Sequence, residues 1–142
     1  MSTTPDSLRI ARTFAAARAR VYRAWTDAAD LARWNFCTDG MTVAVETLDV
    51  RVGGRYQASF GLPGDVPIVE TNAYREVVQD RRLVFDNTLA RGGTVYSRTR
   101  CTVDFLDRGE RTQVVLTEEG DNAGEHASGW GHGLDRLAYL LA

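Results

Sequence analysis

Glu118, His126 and Trp130 are the residues whose types and spacing are best suited to chemistry. His126 and Trp130 lie four positions apart, so on a helix they share one face. Glu118 has the parity of Val114 and Leu116, which turns it inward on a strand. A buried carboxylate is costly unless it is paired or protonated. A salt bridge to an Arg at the end of a sheet is the structural reading of Glu118, and a polar anchor in an apolar pocket is the functional one. With His126 it could also form a general acid/base pair. Trp130 reads first as a core residue, whereas His126 suits a satisfied core position and a ligand-orienting role equally. His132 falls on the opposite face and reads as solvated.

Four aromatic residues are further candidates for a cavity wall: Trp34 and Phe36 near a short helix, and Tyr56 and Phe60 on one strand. Asp49, Arg51, Gly53 and Gly54 read as structural, an Asp–Arg pair around a turn in which paired glycines supply positive φ. Cys37 and Cys101 show no CxxC, no metal-ligand spacing with His and no reactive context. No nucleophile motif or phosphate-cradling loop is present, and no cofactor or metal is expected.

The elements that must position these groups follow from periodicity. Leu8 to Phe14 alternates as a half-buried strand, and the period then changes to helical from Ala16 to Asp27, with Val21, Ala24 and Trp25 inward. A second helix is predicted from Ala28 to Trp34, capped by Asp27. From Met41 to Glu119 the pattern is β throughout, some six strands joined by short turns and therefore antiparallel neighbours. Met41, Val43 and Val45 share one parity while Leu48 and Val50 take the other, the signature of a β-bulge. After Asp121-Asn122, a possible cap, residues His126, Trp130, Leu134, Leu137 and Leu141 form the apolar stripe of a C-terminal helix. Glycines at 129, 131 and 133 weaken that helix, each by about 1 kcal/mol relative to Ala, which fits either tight packing or adjustability.

With 142 residues, 44% hydrophobic and 25% charged, the chain fits one globular α+β domain over residues 8–142 behind a polar tail, 1–7. A net charge of −2 offers no long-range attraction for nucleic acid or an anionic membrane. All 17 basic residues are Arg. Two cysteines fit free thiols in a reducing compartment, and Met1 to Ser7 has no signal-peptide core, so a soluble cytoplasmic protein is expected.

The ordered motifs resemble one family. Asp49-x-Arg51-x-Gly53-Gly54-x-Tyr56 is similar to the D-x-R-x-G-G-x-y signature of the activator of heat-shock-protein-ninety ATPase homologues, members of the START-related (SRPBCC), birch-pollen-allergen-like superfamily. Val21 to Asp27 with Leu31-x-x-Trp34, Arg82-Leu83-Val84, Thr112-x-Val114-x-Leu116-Thr117 and Gly129-Trp130 with Leu134-Asp135-x-Leu137 follow in the family's order. Two departures stand out: Ala16-Ala17 replaces a small-Pro pair, and Glu118 occupies a position where the family often has His. The resemblance implies a helix-grip fold, β-α-α-β6-α, with a curved antiparallel sheet around a long C-terminal helix and a cavity between them.

Three functional readings follow. The first is a binding protein whose cavity holds a hydrophobic or aromatic small molecule without turnover. The second is a chaperone-ATPase regulator, by resemblance. The third, by analogy of fold alone, is a cyclase- or hydrolase-like enzyme. An exposed sheet edge would also allow a homodimer.

Overall fold

The computed structural model describes residues 6–35 and 40–142. The elements run β1 (Ser7–Phe14), α1 (Arg18–Ala24), α2 (Ala28–Trp34), β2 (Thr42–Leu48), β3 (Arg55–Gly61), β4 (Ile68–Val78), β5 (Arg82–Arg91), β6 (Thr94–Arg108), β7 (Arg111–Gly120), a 3-10 turn (Ala123–His126) and α3 (Ala127–Leu141). The strands form a seven-stranded sheet of order β1-β7-β6-β5-β4-β3-β2. Every pairing is antiparallel, because each of β3 to β7 turns straight back on its predecessor and β1 pairs with β7. This is the helix-grip, START-like α+β fold, a curved sheet wrapped against a C-terminal helix.

Local chemistry sets several boundaries. The first helix ends at Ala24, short of the expected Asp27, because Asp27 adopts extended backbone to cap α2 and accepts the Asp30 N–H at 3.0 Å. The parity switch in β2 is a register shift between Val45 and Thr47, and a second shift lies between Tyr74 and Glu76 in β4. A bulge of this kind bends its strand and increases the local twist. The two turn glycines have different causes. Gly53 has φ +85, whereas Gly54 is required by contact, since a Cβ there would lie 2.1 Å from the Asp49 carbonyl oxygen. Asp49 and Arg51 pair at 2.7 Å beside them.

The core sits between the sheet's inner face and the helices. Phe14, Val21, Trp25, Leu31, Trp34, Leu83, Phe105 and Leu116 meet Trp130, Leu134, Leu137 and Leu141 of α3. The Trp34 indole N–H donates to the Ala24 carbonyl at 2.8 Å and ties α2 to α1. At Gly133 a Cβ would lie 3.3 Å from the Trp34 carbonyl oxygen, so this glycine lets α3 approach α2, while Gly131 faces open space. The expected cap of the C-terminal helix is absent. Asn122 is left-handed and makes no capping bond, and His126 belongs to the 3-10 turn before α3. No helix among the described residues is long and apolar enough to cross a membrane.

Candidate functional site

Strand register lines up polar residues on the inner face. Tyr56, Asn72, Asn87 and Thr99 are direct neighbours across β3, β4, β5 and β6. Two residues along, Glu70 stands between Ala58 and Leu89, with Ser97 beyond. Two residues the other way, Tyr74, Phe85, Cys101 and Glu118 form the next row. A face meant only for packing would carry apolar residues at these points. These polar side chains are instead buried, and several bond one another: Asn87 to Asn72 and Glu70, and Thr99 to Glu118.

Glu70, 2% exposed, is held by neutral groups. Its Oε1 accepts from the Asn35 amide at 2.8 Å and its Oε2 from the Asn87 amide at 2.9 Å. The same Asn35 amide donates to the Tyr56 hydroxyl at 3.1 Å, and the Asn87 amide to Asn72 Oδ1 at 2.6 Å. Burial pushes the Glu70 carboxyl up to about 7, against the pull of the Asn87 and Asn35 amides. Burial, with Glu70 nearby, also raises the Tyr56 and Tyr74 phenols.

Glu118, 1% exposed, has a different environment. Oε1 accepts from His126 Nδ1 at 2.9 Å and from the Trp130 indole N–H at 3.1 Å. Oε2 accepts from the Thr99 hydroxyl at 2.6 Å, with the Cys101 thiol at 3.5 Å. Burial works to raise this carboxyl, but hydrogen bonds from His126, Thr99 and Trp130 outweigh it and hold it below its ordinary value. The hydrogen bond to Glu118 in turn raises His126. The partner of Glu118 is therefore His126, not the expected arginine. The 3-10 turn brings the imidazole over the end of β7, closer than any guanidinium.

Ser97 Oγ lies 3.4 Å from His126 Nε2, so hydroxyl, imidazole and carboxylate fall in one line. That order resembles a nucleophile with its base and orienting acid. Glu118 works against that role, because its hydrogen bond raises His126 and favours the protonated imidazole, a form that cannot take the Ser97 proton.

Beside Glu70 lies a cavity of about 20 Å³, lined by Trp25, Trp34 and Trp130 together with Leu31, Asn35, Glu70, Asn72, Leu83 and Phe85. Trp25 packs 4.6 Å from Trp34 and stacks on Trp130 at 5.9 Å between ring centroids. Of the residues expected to line a cavity, Trp34 and Trp130 do so. Tyr56 reaches the lining through Asn35, and Glu118 and His126 reach it through Trp130. Phe60 is buried but does not line this cavity, and Phe36 and Cys37 lie outside the described residues. Cys101 is a buried free thiol whose ionisation is pushed well up by burial. Among the described residues no cluster of His, Cys, Asp and Glu could hold a metal ion.

Asn35, Glu70, Asn72, Asn87, Ser97 and Thr99 were not expected in the site. One signal was available, because Glu70 and Asn72 have the parity of Tyr74, and Ser97 and Thr99 that of Cys101. No curated protein matches the chain. A solved protein of Rhizobium loti is 29% identical over 98% of this chain and 99% of its own, with a TM-score of 0.83. One from Chromobacterium violaceum is 25% identical over 96% and 98%, with a TM-score of 0.82. The family model described as Activator of Hsp90 ATPase homolog 1-like protein matches residues 15–142, nearly the whole helix-grip architecture with its two carboxyl sites. The chain belongs to that family.

Proposed function

We propose that this is a small-molecule-binding protein whose ligand enters between the sheet and the α2–α3 layer, beside the tryptophan cluster, and leaves unchanged. The observation that carries the reading is the cavity itself, where three indoles meet one end of a buried hydrogen-bonded polar network at Glu70, Asn35 and Asn72. Ligand sites combine this kind of apolar wall with a few convergent polar groups. A purely structural core gains little from such groups, because apolar replacements usually stabilise as well or better. The ligand is hydrophobic or aromatic in its bulk. A volume of about 20 Å³ holds about one water, so binding requires α2 to move away from α3. The same reading has the protein acting in the cytoplasm, where a buried thiol such as Cys101 stays reduced.

Intrinsic tryptophan fluorescence and thermal melts against a panel of hydrophobic and aromatic compounds test it. Saturation at about a hundred times Kd should stabilise the fold by about 2.7 kcal/mol and shift the emission. A panel that moves neither signal would overturn the reading.

A further inference from the structure

Resting on that binding reading, we propose that the interior site takes a small aromatic ammonium compound carrying an oxygen acceptor, with its cation against Glu70 and the tryptophan faces. Four observations converge.

All three tryptophans of the chain line this one cavity. Indole faces are the side-chain surfaces that attract cations most strongly. Both oxygens of Glu70 face amide N–H donors, the arrangement an ionised carboxylate needs, yet none of the 17 arginines pairs with it. The other buried carboxyl, Glu118, already has a basic partner in His126 at 2.9 Å. The missing positive charge is thus localised at Glu70. Finally, the Trp25 indole N–H is buried without an acceptor among the described residues, although Trp25 lines the cavity. A ligand oxygen would satisfy it. An unmet buried donor is costly enough to be informative.

The volume of about 20 Å³ suits an ammonium head, while the ring of the ligand must part the aromatic cluster. Six titratable groups face Glu70 from neighbouring elements: Tyr56, Tyr74, Tyr96, Cys101, Glu118 and His126. Burial raises the three phenols and the Cys101 thiol and keeps them neutral near pH 7, while Glu118 and His126 act on Glu70 in opposite directions. Ligand affinity should therefore follow the ionisation of Glu70.

The test is calorimetry on the full chain with four probes: 2-phenylethylammonium, 2-amino-1-phenylethanol, 2-phenylethanol and phenylacetate. The two cations should bind at least about tenfold more tightly than the neutral alcohol, with phenylacetate weakest, as expected for a desolvated charge pair. The amino alcohol should bind several-fold more tightly than 2-phenylethylammonium. Between about pH 6 and pH 8 the cation affinity of the wild type should rise about tenfold as the competent carboxylate fraction grows. Glu70→Gln should remove both the cation preference and this pH dependence while still binding the alcohol. The pH series needs no variant, so it decides the matter even if Glu70→Gln folds poorly.

Equal or tighter binding of the alcohol, or a flat pH profile, would overturn the cation inference and leave the binding reading standing. Equal affinities for the two cations would overturn the acceptor. If no probe binds while other compounds of the hydrophobic panel do, the cation inference fails alone. If nothing binds at all, both fail.

Discussion

Glu70→Gln gives the sharpest test of the buried network, because it removes one titration and nearly preserves shape. Burial moves the Glu70 carboxyl from 4.5 to about 7. The direction decides the sign. Below about pH 4.5 both folded and unfolded chains hold the proton, so Glu70 contributes no pH dependence there. Between 4.5 and about 7 the unfolded chain releases it first, and the folded state loses about 1.4 kcal/mol per pH unit. Above about 7 the loss levels off at about 3 kcal/mol. Gln at this position carries no such penalty. Its amide meets the Asn35 and Asn87 donors less well, but that cost does not vary with pH. Urea melts of the two proteins from about pH 4.5 to pH 8.5 should give a stability difference that moves by about 3 kcal/mol in favour of the variant. Glu118 and His126 titrate in both proteins, so their contributions cancel apart from their coupling to Glu70, which ranks below burial and the amide hydrogen bonds. Parallel curves would refute the claim that Glu70 resists ionisation in the fold.

His126→Ala should cost about 1.5–3 kcal/mol, since it removes a charged hydrogen bond from a carboxylate that keeps its Thr99 and Trp130 donors. That loss should be greatest between about pH 4.5 and 6.5 in denaturant titrations. The Glu118 share fades as pH falls through its lowered value, and the His126 share fades as pH rises through its raised one. Gly53→Ala should cost about 1–2 kcal/mol for its left-handed backbone alone. Gly54→Ala should cost clearly more, because the added Cβ meets backbone at 2.1 Å, and thermal melts of the pair will rank them. Leu134→Ala, in the fully buried stripe of α3, should lose about 2–5 kcal/mol in the same assay.

Much of the architecture is legible along the chain because it depends on short-range alternation. Val43, Val45 and Leu48 reveal the bulge in β2, since a parity change has few other causes. Asp27 announces the start of α2 by local capping chemistry. The helix stripe from Trp130 to Leu141 is a matter of period. His126 is less legible. Its four-residue spacing from Trp130 places it on the right face, but a 3-10 turn, not a helix, delivers it to Glu118.

The sequence by itself determined that Glu118 and Trp130 turn inward, because strand parity and helical period are properties of neighbours in the chain. Which groups meet them depends on register across strands and on how closely the helices approach, and only the tertiary structure decided that. Asn35 reaches Glu70 across 35 positions of chain, and Asn87 reaches it from the next strand. Nothing local distinguishes such an asparagine from one in a turn. Burial creates the final difference. Two glutamates of identical type become a carboxyl held below its ordinary value at 118 and one raised to about 7 at 70, because one found an imidazole and the other only amides.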